Sequence, residues 1–133
     1  MKITDSLIEK GFMIAGVMNL SVLIFSKFFT NQVIAEFDST VLSNFGLLMI
    51  VVWGLAYMSV AKRFHQAKLI VAVFAIEKLI YGLHWITWHA TYNVNDVFNT
   101  DFLAGLFYAV YGINDLLFFV FFTVVFFRES KKD

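Results

Sequence analysis

The sequence predicts an all-α integral membrane protein: an antiparallel four-helix bundle with N and C termini cytoplasmic. Composition is the first ground, since 60% of the 133 residues are hydrophobic and 19% aromatic, the balance of a chain that lives in lipid. The second is patterning. A window about 19 residues wide finds four apolar stretches, at 11–29, 42–61, 68–88 and 103–127, each long enough to span a bilayer as a helix. The third is charge. Lys2 and Lys10 precede the first stretch, Lys62, Arg63 and Lys68 bracket the second connection, and Arg128, Lys131 and Lys132 follow the fourth; the other two connections hold only Lys27 among several acids. The positive-inside rule puts both termini in the cytoplasm. Short connections leave one domain, 1–133.

The first span is expected to be a retained helix and not a cleaved leader, because no A-x-A site follows it. The connection 30–40, "TNQVIAEFDST", carries an apolar "VIA" suited to the membrane interface, and Ser39 and Thr40 are candidate N-caps for the second span. The connection 89–101, "HATYNVNDVFNTD", reads as a polar surface loop or equally a lid over what lies below. In the fourth span Gly105, Ala109 and Gly112 form a small-residue strip fit for close helix packing. Proline is absent, so straight helices are expected, and nothing resembles the interrupted, repeated spans of an alternating-access transporter.

Charges lie where lipid would make them costly. At ~1.5 Å per residue the span centres fall near residues 20, 51, 78 and 115, so Asn19, Glu77, Lys78, Asn114 and Asp115 share the bilayer midplane. Two carboxylates face one ammonium there. Helical spacing aligns Glu77, Tyr81, His84 and Trp88 on one face of the third span, and Tyr108, Tyr111 and Asp115 on one face of the fourth. Trp53 and Tyr57 of the second span form a floor. The expected picture is a pocket open to the outside, walled by aromatics with polar tips.

Other classes fit less well. The net charge is zero and no basic stripe suits a nucleic acid. With no cysteine, thiol–disulfide chemistry is excluded for this chain alone. The fourth span offers no histidine to pair with His84 across a haem, and Glu77 and His84 are too far apart for carboxylate-bridged metals, so no metal site is expected. His65 falls in a cytoplasmic connection, His89 at the outer interface, and Trp85 and Trp88 read as interfacial anchors. A proton path would need polar inner halves, whereas "VFAI" and "FFVFFTVV" are apolar.

The stretches "GVMNLSVLIFSKFF", "FGLLMIVVWGLAY", "EKLIYG" and "YGINDLLFFVFF" resemble in layout the small bacterial membrane proteins of the DoxX-like type. That resemblance implies a four-helix bundle in a bacterial inner membrane, in a group sometimes linked to quinone-coupled redox reactions. It supplies no catalytic residue, and the absence of cysteine departs from relatives proposed to act on thiols.

The residues thus suggest a protein that binds a small amphipathic molecule such as a quinone, isoprenoid or lipid fragment. Glu77 or Asp115 would exchange protons, and Asn19, Trp53, Tyr57, Lys78, Tyr81, His84, Tyr108, Tyr111 and Asn114 would line the site; no particular cofactor is indicated. The alternative is an accessory subunit of a larger membrane complex, or a homo-oligomer, with a purely structural polar core. Its partner surface would be the run "LLFFVFFTVVFF".

Overall fold

The structure, a computed structural model, describes residues 2–133, and every regular element among them is helical. Thr4 starts α1 (Asp5–Leu20) by accepting a hydrogen bond from the Leu7 N–H, and Asp5 adds a favourable charge at the positive end of the helix dipole. The helix therefore begins six residues before the expected boundary at 11. Hydropathy marks where lipid is tolerated, whereas the cap marks where the helix starts.

The expected straight run to residue 29 is also corrected. The ladder is interrupted at Ser21, whose hydroxyl donates to the Met18 carbonyl at 2.5 Å, and a short α2 (Val22–Phe25) follows. Lys27, Phe28 and Phe29 then turn left-handed, with φ of 49°, 54° and 66°. Side-chain crowding makes that conformation cost on the order of 1 kcal/mol or more per residue. It is held by buried Ser26, whose carbonyl accepts from the N–H groups of Thr30 and Asn31 and whose hydroxyl accepts from Phe29.

The "VIA" stretch is helical, part of α3 (Gln32–Phe37), capped by Asn31 and laid over the core through fully buried Ile34. Ser39 and Thr40 do not cap the next helix. They belong to a turn in which Asp38 accepts from the Val41 N–H, and Ser43 caps α4 (Asn44–Val60). A single 3-10 turn, Phe64–Gln66, leads to α5 (Lys68–Thr91). The connection expected as a loop at 89–101 is a last turn of α5 followed by α6 (Val94–Thr100), which buries Val97. Asp101 then caps α7 (Phe102–Ser130) through the Ala104 N–H.

The long helices pack as two pairs. α1 meets α4 where Gly16 faces Gly54: a Cβ on Gly54 would lie 2.9 Å from the Gly16 carbonyl oxygen, too close for any larger residue. α5 meets α7 along most of its length, with Gly112 seated under the Trp85 ring. Within the expected strip, Gly105 instead faces Phe98 of α6.

Two apolar clusters result. One, around Ile8, Phe12, Tyr57, Phe64, Phe74 and Phe122, lies at the end where the chain termini meet. The other, around Val22, Ile34, Leu47, Trp88, Phe107 and Tyr108, fills the opposite end. The outer surface is apolar too, with Ile24, Leu69, Ile80 and Leu117 all at least 60% exposed. Three stretches, Asp5–Phe25, Lys68–Thr91 and Phe102–Ser130, are long and apolar enough to cross a membrane; α4 is apolar but shorter.

Candidate functional site: a polar layer and its side cavity

Between the two apolar clusters each long helix contributes polar atoms. Lys78 of α5, with 1% of its side chain exposed, donates to Asp115 Oδ1 of α7 at 2.6 Å and to Asn19 Oδ1 of α1 at 2.9 Å. Asn19 in turn donates to the Ile50 carbonyl of α4 at 2.9 Å, and Asn114 leans toward Asp115 at 3.4 Å. The Tyr57 hydroxyl donates to Glu77 Oε2, and the Lys78 ammonium lies 5.2 Å from the centre of the Tyr57 ring. Four helices are tied at one level by charge-assisted bonds, which are the strong kind in a low-dielectric interior.

A cavity of about 70 Å³ abuts this layer. Asn19, Glu77, Lys78, Tyr81, Tyr111, Asn114 and Asp115 line it, together with Met18, Ser21, Val22, Phe25, Ile50, Phe107 and Val110. On that measure a water occupies roughly 10–15 Å³, so the space holds a few waters or one small head group. The Tyr111 hydroxyl decides its character. The residue is 7% exposed, and among the described residues its hydroxyl is the one buried side-chain polar atom without a hydrogen-bond partner. An orphaned buried hydroxyl costs ~1–3 kcal/mol, and natural cores rarely keep one.

Four expected site residues lie elsewhere. Tyr57 is a floor in the sense of holding Glu77, but its ring packs among Phe74 and Phe122 outside the cavity. Trp53 faces a shallow groove on the α4–α5 seam, beside Glu77 and Tyr81. His84 pairs with Asp38 Oδ2 at 2.5 Å, on a separate polar groove that also includes Glu36 and Thr91. Tyr108 is fully buried, stacks on Trp88 and donates to the Ile34 carbonyl at 2.6 Å.

Of the two expected anchors, Trp88 is instead a core residue. Trp88 is buried and donates to the Phe37 carbonyl, while Trp85 donates to the Tyr108 carbonyl at 2.7 Å. The physical reason is α3 for Trp88 and Tyr108, whose polar tips go to its Phe37 and Ile34 carbonyls, whereas Trp85 bonds within the α5–α7 pair. The cavity does not open along the bundle axis toward α3. Its exposed rim, Met18 and Val110, faces sideways between α1 and α7.

Sequence reasoning missed that rim. A signal existed: Phe107, Val110, Tyr111 and Asn114 recur at helical spacing on one side of α7, and Ser21 stands two residues from Asn19. A second polar cluster was also missed, at the end where the termini meet. There Glu129 and Asp5 each contact both His65 and Arg128. Among the described residues, no group of three or more His, Cys, Asp or Glu side chains is arranged to hold a metal. Compared with known proteins, the chain matches no family model, no curated protein and no solved structure.

Proposed function

We propose that the chain is a multi-pass protein of a bacterial inner membrane, with four antiparallel spans and both termini cytoplasmic, that binds a small amphipathic molecule at the polar layer. The quinone, isoprenoid and lipid classes all fit that description. Supporting the four spans, α4 has 17 residues, about 25 Å of helix, and exposes Leu48, Val52 and Leu55. The layout shared with DoxX-like proteins supports the bacterial setting.

One observation carries the ligand reading: the Tyr111 hydroxyl, buried, without a partner among the described residues, on the wall of a cavity beside a level where all four long helices bring polar groups. Glu77 and Asp115 also line the cavity and are the groups suited to exchange a proton with an occupant.

Tyr111→Phe separates this reading from a purely structural core. Removing an unsatisfied hydroxyl should stabilise the ligand-free protein by about 1 kcal/mol. The same change should reduce the amount of small molecule retained on purification in mild detergent, read by native mass spectrometry. A parent that retains nothing, or a variant that retains as much, would count against the ligand.

The accessory-subunit reading has its own support in the exposed stripe Leu117, Val120, Val124 and Phe127 on α7. Comigration of the parent with a stoichiometric membrane-protein partner, and no retained small molecule, would favour it.

A further inference from the structure

We propose that the cavity is loaded sideways through a window between α1 and α7, and that it takes the neutral, hydrogen-bond-accepting head of a long-chain amphipath whose chain stays outside. This rests on the ligand reading above and specifies its route and chemistry.

The route follows from where the seam is closed. Toward the termini, Phe12 packs on Phe121 and Phe122 with ring centres 5.6 and 5.2 Å apart, shutting α1 against α7. Toward the other end, Phe25 meets Phe107 at 5.9 Å. Between these aromatic closures Met18 and Val110 remain 42% and 37% exposed and rim the cavity. The interruption at Ser21 falls at the same level, and the Ser21 hydroxyl covers the Met18 carbonyl there. Along the axis, buried apolar clusters seal both ends. In a four-span protein a rim halfway along the helices faces hydrocarbon.

The head chemistry follows from what the wall offers. Tyr111 supplies a donor with no acceptor, and Lys78 uses two of its three protons on Asn19 and Asp115. Glu77 and Asp115 outnumber the single ammonium, which disfavours an anionic head. The small volume admits a carbonyl, ester or hydroxyl and leaves the chain in the window.

Three photoreactive probes test the proposal in lipid nanodiscs. All share a sixteen-carbon diazirine-bearing chain and differ at the head: a methyl ester, the free acid at pH 8, and the plain hydrocarbon. The methyl ester should label peptides carrying Met18, Phe25 and Val110 up to about tenfold more than the other two, the discrimination one buried hydrogen bond provides. Val110→Trp, and independently Met18→Trp from the opposite rim, should bring ester labelling down to the hydrocarbon level. Thermal melting of each variant establishes that it is folded. Equal labelling by all three probes would mean ordinary lipid contact and overturn the head assignment. Ester labelling that survives both rim variants but is lost in Tyr111→Phe would overturn side entry while leaving the ligand reading intact. Labelling by none of the probes at the cavity would overturn both.

Discussion

Lys78 donates to partners on two other helices while almost wholly removed from solvent. Taking one member from such a set leaves the others charged or polar without compensation, at a cost of ~3–5 kcal/mol. Lys78→Met should therefore lower the melting temperature in detergent sharply. Lys78→Met combined with Asp115→Leu should recover much of the loss, because apolar side chains of similar size replace a buried pair at little cost. Equal melting of parent and single variant would show that the bonds carry no weight. This level of the site was legible in the sequence, since charge in an apolar span must find a partner at its own depth. His84 and Tyr108 were not. Periodicity gives the face on which each stands, but their partners, Asp38 and the Ile34 carbonyl, sit on a connection 46 and 74 residues away, and nothing local specifies that α3 folds down over them.

At the scale of elements, the junction at Asp101 joins two ends of the fold. Its carboxylate caps α7 through Ala104, accepts from the Asn31 amide at 2.8 Å and pairs with Lys27 at 3.1 Å, so it also steadies the left-handed turn. The Ala104 N–H first, then the Asn31 amide and Lys27, hold the Asp101 carboxyl below the usual carboxylate range. A depressed folded value means that this stabilisation is complete above the ordinary aspartate pKa of ~3.9 and is lost as pH falls through the folded value. Melting temperature should then be insensitive to this group from pH 5 to 8 and should decline below about pH 4. Asp101→Asn should lose that acid-dependent part, and Asp101→Ala should cost about 1 kcal/mol for the cap at any pH in the neutral range. Melting curves recorded from pH 7 to pH 3 check both. The sequence showed the apolar extents of these helices but not their true ends. Thr4, Ser43 and Asp101 set the starts, and each competes with neighbouring Ser, Thr or Asp residues that look equally able to cap until the chain is folded.

For the whole molecule, the start of α1 and the end of α7 lie together, with Arg128 bonded to Asp5 at 2.6 Å and His65 beside both. Lys62, Arg63, Lys68, Lys131 and Lys132 gather near that end, whereas Lys27 at the other end is neutralised by Asp101. That asymmetry supports the proposed orientation, with the basic end cytoplasmic. A fluorescent protein fused after Asp133 should fold and emit, and alkaline phosphatase fused there should be inactive; the reverse pattern would invert the topology.

The distance along the chain between Lys78 and Asp115, 37 residues, bears on how such a protein is made. With four spans, the third helix leaves the ribosome carrying a bare ammonium and a carboxylate, while the residue that neutralises Lys78 has yet to be translated. During that interval Asn19, already in place on the first helix, is the available partner. The third helix therefore has reason to linger beside the insertion machinery, or to associate with the first helix, until the fourth arrives. Were the spans to insert in that order, the three side chains that hold the finished protein together would also set when the third helix settles.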